Sequence, residues 1–313
     1  MTSTPGVTAL MALAVGLALG ASGRADVRTL HPYLGITYID RLESSPRPVH
    51  MHIAQIDLSA RGLKFRVSPP GGTREVVRET TLNYLKRQAA QLAINAHFFF
   101  PFPSSDTEAW VIGLGASDGR VYSTFETPVQ DFALVGNAPA LNIDRRNRAR
   151  IVHRDPRRPD GRHVQEHVDV WNVVAGSAQI VTNGAASIPV YADATHPVGL
   201  LVPGGPTDYS NTKSWYEVAT ARTAAGLSRD NRTLTLFTVD VRGGSDGMSL
   251  SEVAGVLIRD FGVWNALNLD GGGSTTMAWL DPESGRAGLL NTSSDNPAGR
   301  AVASSLAVFA RRR

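Results

Sequence analysis

A glycine-rich turn between two apolar runs constrains this chain more than any other feature of its sequence. Residues 265–279 read NALNLDGGGSTTMAW, with Asp270 directly before three glycines and three hydroxyl residues directly after them. Glycine lets a ligand approach bare backbone amides, and successive amides in such a turn can hold a phosphate or another oxyanion. The alternative is a tight turn in which Asp270 caps its own backbone, but such a turn rarely requires three consecutive glycines. We therefore expect a ligand-binding loop formed by Asp270, Gly271, Gly272, Gly273, Ser274 and Thr275.

Two similar segments, AINAHF and ALNLDG, each follow a predicted helix and read as a short apolar strand with a polar end. In the first segment, Asn95 lies two positions before His97, and in the second, Asn268 lies two positions before Asp270. Side chains two residues apart share one face of a strand. If the two strands are neighbours in one sheet, the four polar side chains meet at one sheet end, where α/β folds commonly bind ligands. A match this short also arises by chance.

Strands dominate the hydrophobic pattern. Alternation of apolar and polar residues predicts strands in GITYIDRL (35–42) and in VHMHIAQIDLSARGLKFRVSPP (49–70). The segment DVWNVVAGSAQIVTNG (169–184) reads as two strands around a Gly-Ser turn.

Two helices interrupt these strands. One helical pattern runs from Thr73 to about Ala90. The capping box formed by Ser249 and Glu252 opens the other, which stops at Gly262. Together the elements predict an α+β protein of mixed β-sheets flanked by helices, in a single domain over residues 26–313.

Residues 144–167 differ in composition from the rest of the chain. They contain eight arginines, two prolines and three histidines, which leaves little to bury. We interpret them as a solvated, partly mobile loop or insertion, with a basic patch for an anionic polymer as the alternative. No aromatic residue alternates with these arginines, and the formal net charge of the chain is only +3. Both observations argue against a nucleic-acid partner.

The N-terminus reads as a targeting segment. Residues 7–23 are apolar and uncharged, they end in small residues, and they are short for a membrane span. We interpret residues 1–25 as a cleaved signal peptide, although the usual basic residues before it are missing, and a retained N-terminal anchor is the alternative. The interpretation implies a periplasmic or secreted protein without stable membrane insertion. The chain has no cysteine, which excludes disulfides and thiolate metal sites.

Six short motifs follow one another along the chain: AINAHFF, AGSAQIVTNG, ARTAAGL, VDVRGGSDGMSLSEVA, NLDGGGSTTM and GRAVASSLAVF. In this order they resemble the phosphodiester glycosidase family, from about Ile53 to Phe309. Ala96 and His97 stand where that family often has two glycines, and Val241 interrupts its usual Asp-Gly-Arg. The resemblance implies a single catalytic domain that hydrolyses a sugar-1-phosphodiester, such as one of N-acetylglucosamine. The products would be the free sugar and a phosphomonoester.

Such a reaction needs positive charge for the phosphodiester and acid or base assistance at the acetal carbon. Arg222, in ARTAAGL, is the first candidate for the phosphate, because a guanidinium can pair with two oxygens at once. Asp270 is the favoured carboxylate, as base, nucleophile or orienting group. Asp240 is the second carboxylate and shares a strand face with Arg242; a buried ion pair without a catalytic role is equally compatible with this pattern.

Four more residues are candidates with a structural alternative each. His97 can donate a proton to the leaving group, although an isolated histidine beside aromatic residues more often forms hydrogen bonds in a core. Asn95 and Asn268 can bind sugar or phosphate, or join the two strand ends. Arg300, in the last motif, adds a second positive charge or braces the C-terminal strand.

The metal requirement stays open at this stage. Asp240, Asp270, Asn95 and Asn268 offer the oxygen ligands that Ca²⁺ or Mg²⁺ accepts, but no loop has the spacing of a dedicated calcium site. The expected partner is a glycosyl phosphodiester or phosphorylated glycan, from an exopolysaccharide or the cell envelope. Two alternatives remain: a non-catalytic protein that binds such a glycan, and a phosphodiesterase that cleaves the other side of the phosphate.

Overall fold

Two packed β-sheets form the centre of the molecule, in a computed structural model that describes residues 25–125, 136–188 and 218–313. The predicted leader, residues 1–25, lies outside these ranges except for its last residue. The helices are α1 (Thr81–Gln88) and α2 (Leu250–Phe261), and a 3-10 turn covers Gly272–Ser274. The strands are β1 (Asp26–Tyr33), β2 (Ile36–Glu43), β3 (Val49–Asp57), β4 (Lys64–Val67), β5 (Val76–Val77), β6 (Glu79–Thr80), β7 (Leu92–Asn95), β8 (Phe99–Phe100), β9 (Glu108–Val111), β10 (Gly115–Ser117), β11 (Arg120–Ser123), β12 (Ala140–Ile143), β13 (Ala149–Val152), β14 (Asn172–Ala175), β15 (Ala178–Thr182), β16 (Ala185–Ala186), β17 (Arg222–Ser228), β18 (Thr233–Val239), β19 (Val263–Leu269), β20 (Met277–Leu280), β21 (Ala287–Leu289), β22 (Ala301–Val302) and β23 (Ser305–Phe309).

The strands form three large sheets. The first sheet has the order β1-β2-β3-β18-β17-β19-β15-β16, and the second has the order β21-β20-β7-β23-β4. A third sheet, β11-β10-β14-β12-β13, packs beside them, while β22-β6 and β5-β9-β8 are small additions. All strand pairings among the described residues are antiparallel. The expectation of mixed sheets is therefore wrong, because neighbouring strands here run in opposite directions and need no parallel crossover.

The largest hydrophobic core lies between the first and second sheets. Ile56, Leu236 and Leu267 come from the first sheet, and Ile94 and Leu306 come from the second; all five are fully buried and belong to one cluster. Alternation along each strand directs these side chains to one face of their sheet. The pattern read from the sequence thus marks the inner faces of a sandwich.

Each helix covers the outer face of one sheet. Leu257 of α2 packs with Ile53 and Phe237 of the first sheet. Tyr84 of α1 packs with Ala93 of the second sheet. The layers therefore run helix, sheet, sheet, helix. The predicted α+β class holds in outline, but the regular secondary structure of the described residues is mostly strand and contains only these two α-helices.

The first helix begins later than the sequence pattern predicts. The prediction placed its start at Thr73, whereas α1 starts at Thr81 with Thr80 as its N-cap. The amide and hydroxyl of Thr73 both donate to Glu108 Oε2 (2.8 and 2.7 Å), and the next residues pair as β5 and β6. Pairing with distant strands overrides the local helical period here.

The Arg-rich segment is not a loop throughout. Within it, β13 pairs along its whole length with β12. Asp144 closes the turn between these strands, since its Oδ1 accepts from the amides of Arg146 and Arg148 (2.8 and 2.9 Å). The composition suggested little to bury, but most of the few apolar residues of the segment lie in this strand, where Ala149 and Val152 are buried.

Two local predictions are confirmed. Ser249 and Glu252 form the capping box of α2, with both reciprocal hydrogen bonds present, and Gly262 ends the helix in the left-handed conformation. The segment 169–184 contains β14 and β15 around the Gly-Ser turn, although the two strands belong to different sheets. Within the ranges that the structure describes, neither helix has the length and apolar character needed to span a membrane.

Truncation of α2's buried face tests the packing of the outer layer. We expect Leu257→Ala to lower the free energy of unfolding by about 2–5 kcal/mol, because it leaves a cavity in a closed cluster. Leu42→Ala is the matched control, since Leu42 is 44% exposed, and we expect it to change stability by less than about 1 kcal/mol. Urea unfolding of both variants measures the difference. An equal decrease in the free energy of unfolding for the two variants would show that α2 does not pack as described.

Candidate active site

The two polar strand ends meet, but across the sandwich and not within one sheet. The two strands are not neighbours in one sheet, which the sequence had left open, because β7 lies in the second sheet and β19 in the first. The chain after β7 nevertheless reaches the chain after β19: Asn95 Nδ2 donates to the carbonyl oxygen of Asp270 (2.6 Å). The amide of Asp270 donates back to the carbonyl oxygen of Ala96 (3.0 Å). The two predicted segments thus form one site from two sheets.

Both asparagines are engaged inside the protein. The Oδ1 atom of Asn95 accepts from the amide of Thr276 and from the hydroxyl of Thr223, each at 2.9 Å. Asn268 Nδ2 donates to Ser177 Oγ (2.8 Å). Since neither asparagine is exposed at all, this geometry favours the role of joining strand ends over direct contact with a ligand.

Glycine stands at each position of the loop for a different structural reason. Gly272 has a φ of +57°, in the left-handed region that a side chain rarely adopts. A Cβ atom on Gly271 would lie 3.0 Å from the carbonyl oxygen of Ala221, and one on Gly273 would lie 2.2 Å from Arg300 Nη2. Gly272 therefore serves the turn, Gly271 allows a close approach of the backbone, and a side chain on Gly273 would displace the Arg300 guanidinium.

The amides of the loop are largely used by the protein itself. The amide of Gly272 donates to Ala221 (2.8 Å), and those of Ser274 and Thr275 donate to carbonyl oxygens within the turn (both 3.1 Å). The sequence predicted an open row of amides for an oxyanion, and the structure differs. What the loop presents instead is the carboxyl of Asp270 beside the Ser274 hydroxyl.

Asp270 is the electrostatic centre of this site. Burial raises the pKa of its carboxyl from 3.8 to about 7, even though hydrogen bonds from the Ser274 hydroxyl and the Gly271 amide and the charge of Arg300 act in the opposite direction. Loss of hydration is the dominant effect, since the side chain is almost completely enclosed. The group can therefore gain or lose a proton near neutral pH.

Arg300 supplies the positive charge next to Asp270. Its Nε donates to Asp295 Oδ2 (2.7 Å), and its Nη1 lies 3.5 Å from Ser274 Oγ. The guanidinium also lies 4.7 Å from the centre of the Phe102 ring. These contacts hold a partly exposed guanidinium against the glycine loop, a position suited to an anionic ligand.

Arg222 lies on the opposite side of the loop and is fully buried. Its Nε donates to the carbonyl oxygen of Met248 (3.0 Å), and its Nη2 donates to the carbonyl oxygen of Val218. Its Cα lies 3.8 Å from where a Cβ on Gly271 would be. The first candidate for phosphate thus bonds backbone carbonyl oxygens outside the loop and lies against the start of the loop at Gly271.

Asp240 is fully buried and has polar partners that the sequence analysis missed. Its carboxylate accepts from Asn291 Nδ2 (3.2 Å), the Thr292 amide (2.9 Å) and His52 Nε2 (3.3 Å). Arg242 is exposed beyond the end of β18 and forms no ion pair with Asp240, whose titratable partners among the described residues are His50 and His52. The period-2 pair His50-x-His52 was the available signal, but strand register was needed to connect it to Asp240.

Asn291 connects Asp240 to the glycine loop. The Nδ2 group of Asn291 also donates to the carbonyl oxygen of Thr275 (3.1 Å), and its Oδ1 accepts from the amide of Met277 (2.7 Å). Thr275 itself is buried, with its hydroxyl 3.3 Å from that of Thr223. Asp240 and Thr275, both predicted as site residues, thus belong to one hydrogen-bonded framework under the loop.

His97 is enclosed on all sides. Its Nδ1 lies 2.7 Å from Ser304 Oγ, and its Nε2 lies 3.1 Å from the carbonyl oxygen of Leu114. Because only an N–H can pair with a carbonyl oxygen, Nε2 carries the proton and Nδ1 accepts from Ser304. Burial lowers the pKa of the imidazole to about 4. This geometry favours the alternative of a hydrogen-bonded core histidine.

Among the described residues, the histidine and acidic side chains that lie close enough to share a metal ion include neither Asp240 nor Asp270. The His and Asp side chains close enough to share an ion are Asp40, His50 and His52, whose ligand atoms lie within 4.8 Å of one another. Histidine favours Zn²⁺ and similar ions over Ca²⁺ or Mg²⁺.

A family model for phosphodiester glycosidases matches residues 88–309, which is more than half of the chain and includes Asp270, the glycine loop and Arg300. The chain belongs to the phosphodiester glycosidase family. Among curated proteins, none matches it in sequence.

Solved structures support the fold of this family member. A hypothetical protein from Synechocystis has a TM-score of 0.63 and 17% identity; the alignment covers 91% of this chain and 64% of that one. The zebrafish N-acetylglucosamine-1-phosphodiester alpha-N-acetylglucosaminidase catalytic domain, auto-inhibited by its pro-peptide, has a TM-score of 0.59 and 22% identity, with 94% and 86% covered. A Burkholderia pseudomallei protein has a TM-score of 0.62 and 15% identity, with 94% and 98% covered. This chain therefore spans less than two thirds of the Synechocystis chain.

The raised pKa of Asp270 predicts a specific pH dependence of stability in this glycosidase-family chain. Between about pH 4 and 7 the folded chain keeps a proton that the unfolded chain releases, so the free energy of unfolding falls as the pH rises, by up to about 1.4 kcal/mol per pH unit. Above pH 7 this contribution is constant. We expect Asp270→Asn to remove this fall, measured by urea unfolding at pH 5 and pH 7.5. An unchanged difference between the two pH values would contradict a raised pKa.

Proposed function

We propose that this protein hydrolyses the glycosidic bond of a sugar-1-phosphodiester, releasing the free sugar and a phosphomonoester. The observation that carries the proposal is the enclosed Asp270 carboxyl, whose pKa burial raises to about 7 and on which the charge of Arg300 acts. Membership of the phosphodiester glycosidase family supports the same reaction class.

The substrate phosphate binds at Arg300 in this proposal. A phosphodiester keeps a negative charge, and the guanidinium can pair with two of its oxygens at once. Asp295, which accepts from Arg300 Nε, and Phe102, which lies under the guanidinium, fix its direction. Arg300 therefore takes the phosphate-binding role that the sequence first suggested for Arg222.

Asp270 acts as the general base in this proposal. The bond between the anomeric carbon and the phosphate oxygen breaks, and its electron pair stays on the phosphate, which is a stable anion and requires little help from an acid. The attacking water is the weaker reactant, because it must lose a proton as it adds to the anomeric carbon. A carboxylate with a pKa near 7 can accept that proton.

Asp240 and His97 have supporting roles in this proposal. Asp240 orients β3 and the segment around Asn291, and His97 fills the core behind β7 with both ring nitrogens bonded. Arg222 and the two asparagines hold the strand ends that carry the loop.

We also propose that the protein is exported, as its apolar N-terminal segment suggests. An exported enzyme of this class would meet phosphodiesters of exopolysaccharides or of the cell envelope. N-acetylglucosamine-1-phosphodiester is the first sugar to test, on the basis of the family resemblance.

Substitution of Asp270 tests the reaction. We expect purified protein to release free N-acetylglucosamine from UDP-N-acetylglucosamine or its methyl phosphodiester, and Asp270→Asn to reduce the rate by about 10²–10⁴-fold. Asp260→Asn is the control, because Asp260 lies at the far end of α2 and pairs with Arg41 and Arg259. Chromatography separates sugar from sugar phosphate. Sugar phosphate as the product would place the cut on the other bond, and binding without turnover would identify a glycan-binding protein.

The pH profile tests the role of Asp270 as base. A base must be deprotonated, so we expect kcat/KM to fall about tenfold per pH unit below about pH 7 and to be level above it. The Asp270→Asn variant should lack this slope. A wild-type rate that instead falls above pH 7 would show that the protonated carboxyl acts, as a general acid.

A further inference from the structure

Three side chains that can bind a metal ion come together in the first sheet: Asp40, His50 and His52. Asp40 lies on β2 and the two histidines lie on β3, where positions 50 and 52 share one strand face. The antiparallel register places Asp40 directly opposite His52. All three residues precede the segment that the phosphodiester glycosidase model matches.

The three side chains face one point. Asp40 Oδ1 lies 2.6 Å from His50 Nε2 and 3.8 Å from His52 Nδ1. The two imidazole centres are 4.2 Å apart. Ligand atoms around a tetrahedral Zn²⁺ lie about 3.3 Å apart, since each bond is about 2.0 Å long. Small rotations of these side chains would therefore be enough to bring all three into coordinating distance.

A second carboxylate lies on the far side of both imidazoles. Asp240 Oδ2 is 3.3 Å from His52 Nε2 and 3.8 Å from His50 Nδ1. Metal-binding histidines commonly donate their other N–H to a carboxylate in this way, which fixes the ring and its tautomer. A fully buried Asp240 is thus placed to orient both rings toward Asp40.

The tautomer of His52 already suits a metal. Because its Nε2 faces a carboxylate, Nε2 carries the proton and Nδ1 keeps its lone pair on the side of Asp40. The hydroxyl of Tyr38 now donates to that Nδ1 (2.8 Å) and would have to turn away when an ion binds. In His50 the proton would move from Nε2 to Nδ1, the nitrogen that faces Asp240.

The outer side of the cluster opens to solvent. Asp40 and Tyr38 line a surface groove of about 560 Å³, together with His31 and Trp279. The side chain of Asp40 is 35% exposed, whereas that of His52 is 1% exposed. An ion could enter from the groove and keep its remaining coordination positions for water or another ligand.

We propose that Asp40, His50 and His52 bind one divalent transition-metal ion of the Zn²⁺ class, with Asp240 as the orienting carboxylate. A ligand set of two imidazoles and one carboxylate binds Zn²⁺, Cu²⁺ or Ni²⁺ more tightly than it binds Ca²⁺ or Mg²⁺. The cluster does not include Asp270, and the proposal does not depend on the proposed hydrolysis.

Titration of the full chain, without an affinity tag, with Zn²⁺ and with Co²⁺ tests the site. We expect about one ion per chain by calorimetry, visible absorption bands of low-symmetry Co²⁺, and a higher melting temperature with Zn²⁺, because binding to the folded state stabilises it. Ca²⁺ and Mg²⁺ should not compete. No saturable binding at micromolar Zn²⁺ would overturn the proposal.

Three variants locate the ion. Asp40→Asn and His50→Gln alter partly exposed side chains and should weaken Zn²⁺ binding at least about tenfold. His31→Gln is the matched control, since His31 lines the same groove but lies outside the cluster, and it should bind as the wild type does. Unchanged binding in both cluster variants would place the ion elsewhere and refute the site. Circular dichroism of each variant confirms that the fold is kept.

Discussion

The amide of one buried side chain, Asn95, ties the two sheets together where the candidate site forms. It joins the carbonyl of Asp270, the amide of Thr276 and the hydroxyl of Thr223, and so connects segments from β7, β17 and both sides of the glycine loop. A buried amide left without partners is costly in free energy, so the loss of any of these three contacts destabilises the folded site. The backbone of Asp270 is thereby fixed relative to both sheets.

The loop that this contact anchors lies between two arginines with different functions. Arg222, on the buried side, bonds backbone carbonyls, and Arg300, on the accessible side, lies where a side chain on Gly273 would be. Asp270 faces Arg300, yet loss of hydration outweighs that charge in setting its pKa. A site of this kind can keep a carboxyl poised near neutral pH while a cation stands ready for an anionic ligand.

The sequence predicted what depends on neighbours in the chain. The capping box of α2, its glycine terminus and the successive strands β14 and β15 follow from residues a few positions apart. The start of α1 could not be predicted in this way, because Thr73 is hydrogen-bonded to Glu108, which lies far along the chain. Asp270 and the glycine loop were recognisable as a candidate site, but the positions of Arg300 and Asn95 around them depend on contacts between distant segments. The pair His50-x-His52 was visible as a pattern, whereas Asp40 and Asp240 join it only through strand register.

The boundaries of the family match do not coincide with those of the folded unit. The match begins at residue 88, yet β3, well before it, is hydrogen-bonded along its length to β18 in the middle of the first sheet. A recombinant fragment begun at residue 88 would leave β18 as an exposed edge with a row of unpaired backbone groups, which invites pairing with other chains and aggregation. Domain borders for expression, or for fusion to another protein, therefore belong before β1, at the start of the first hairpin.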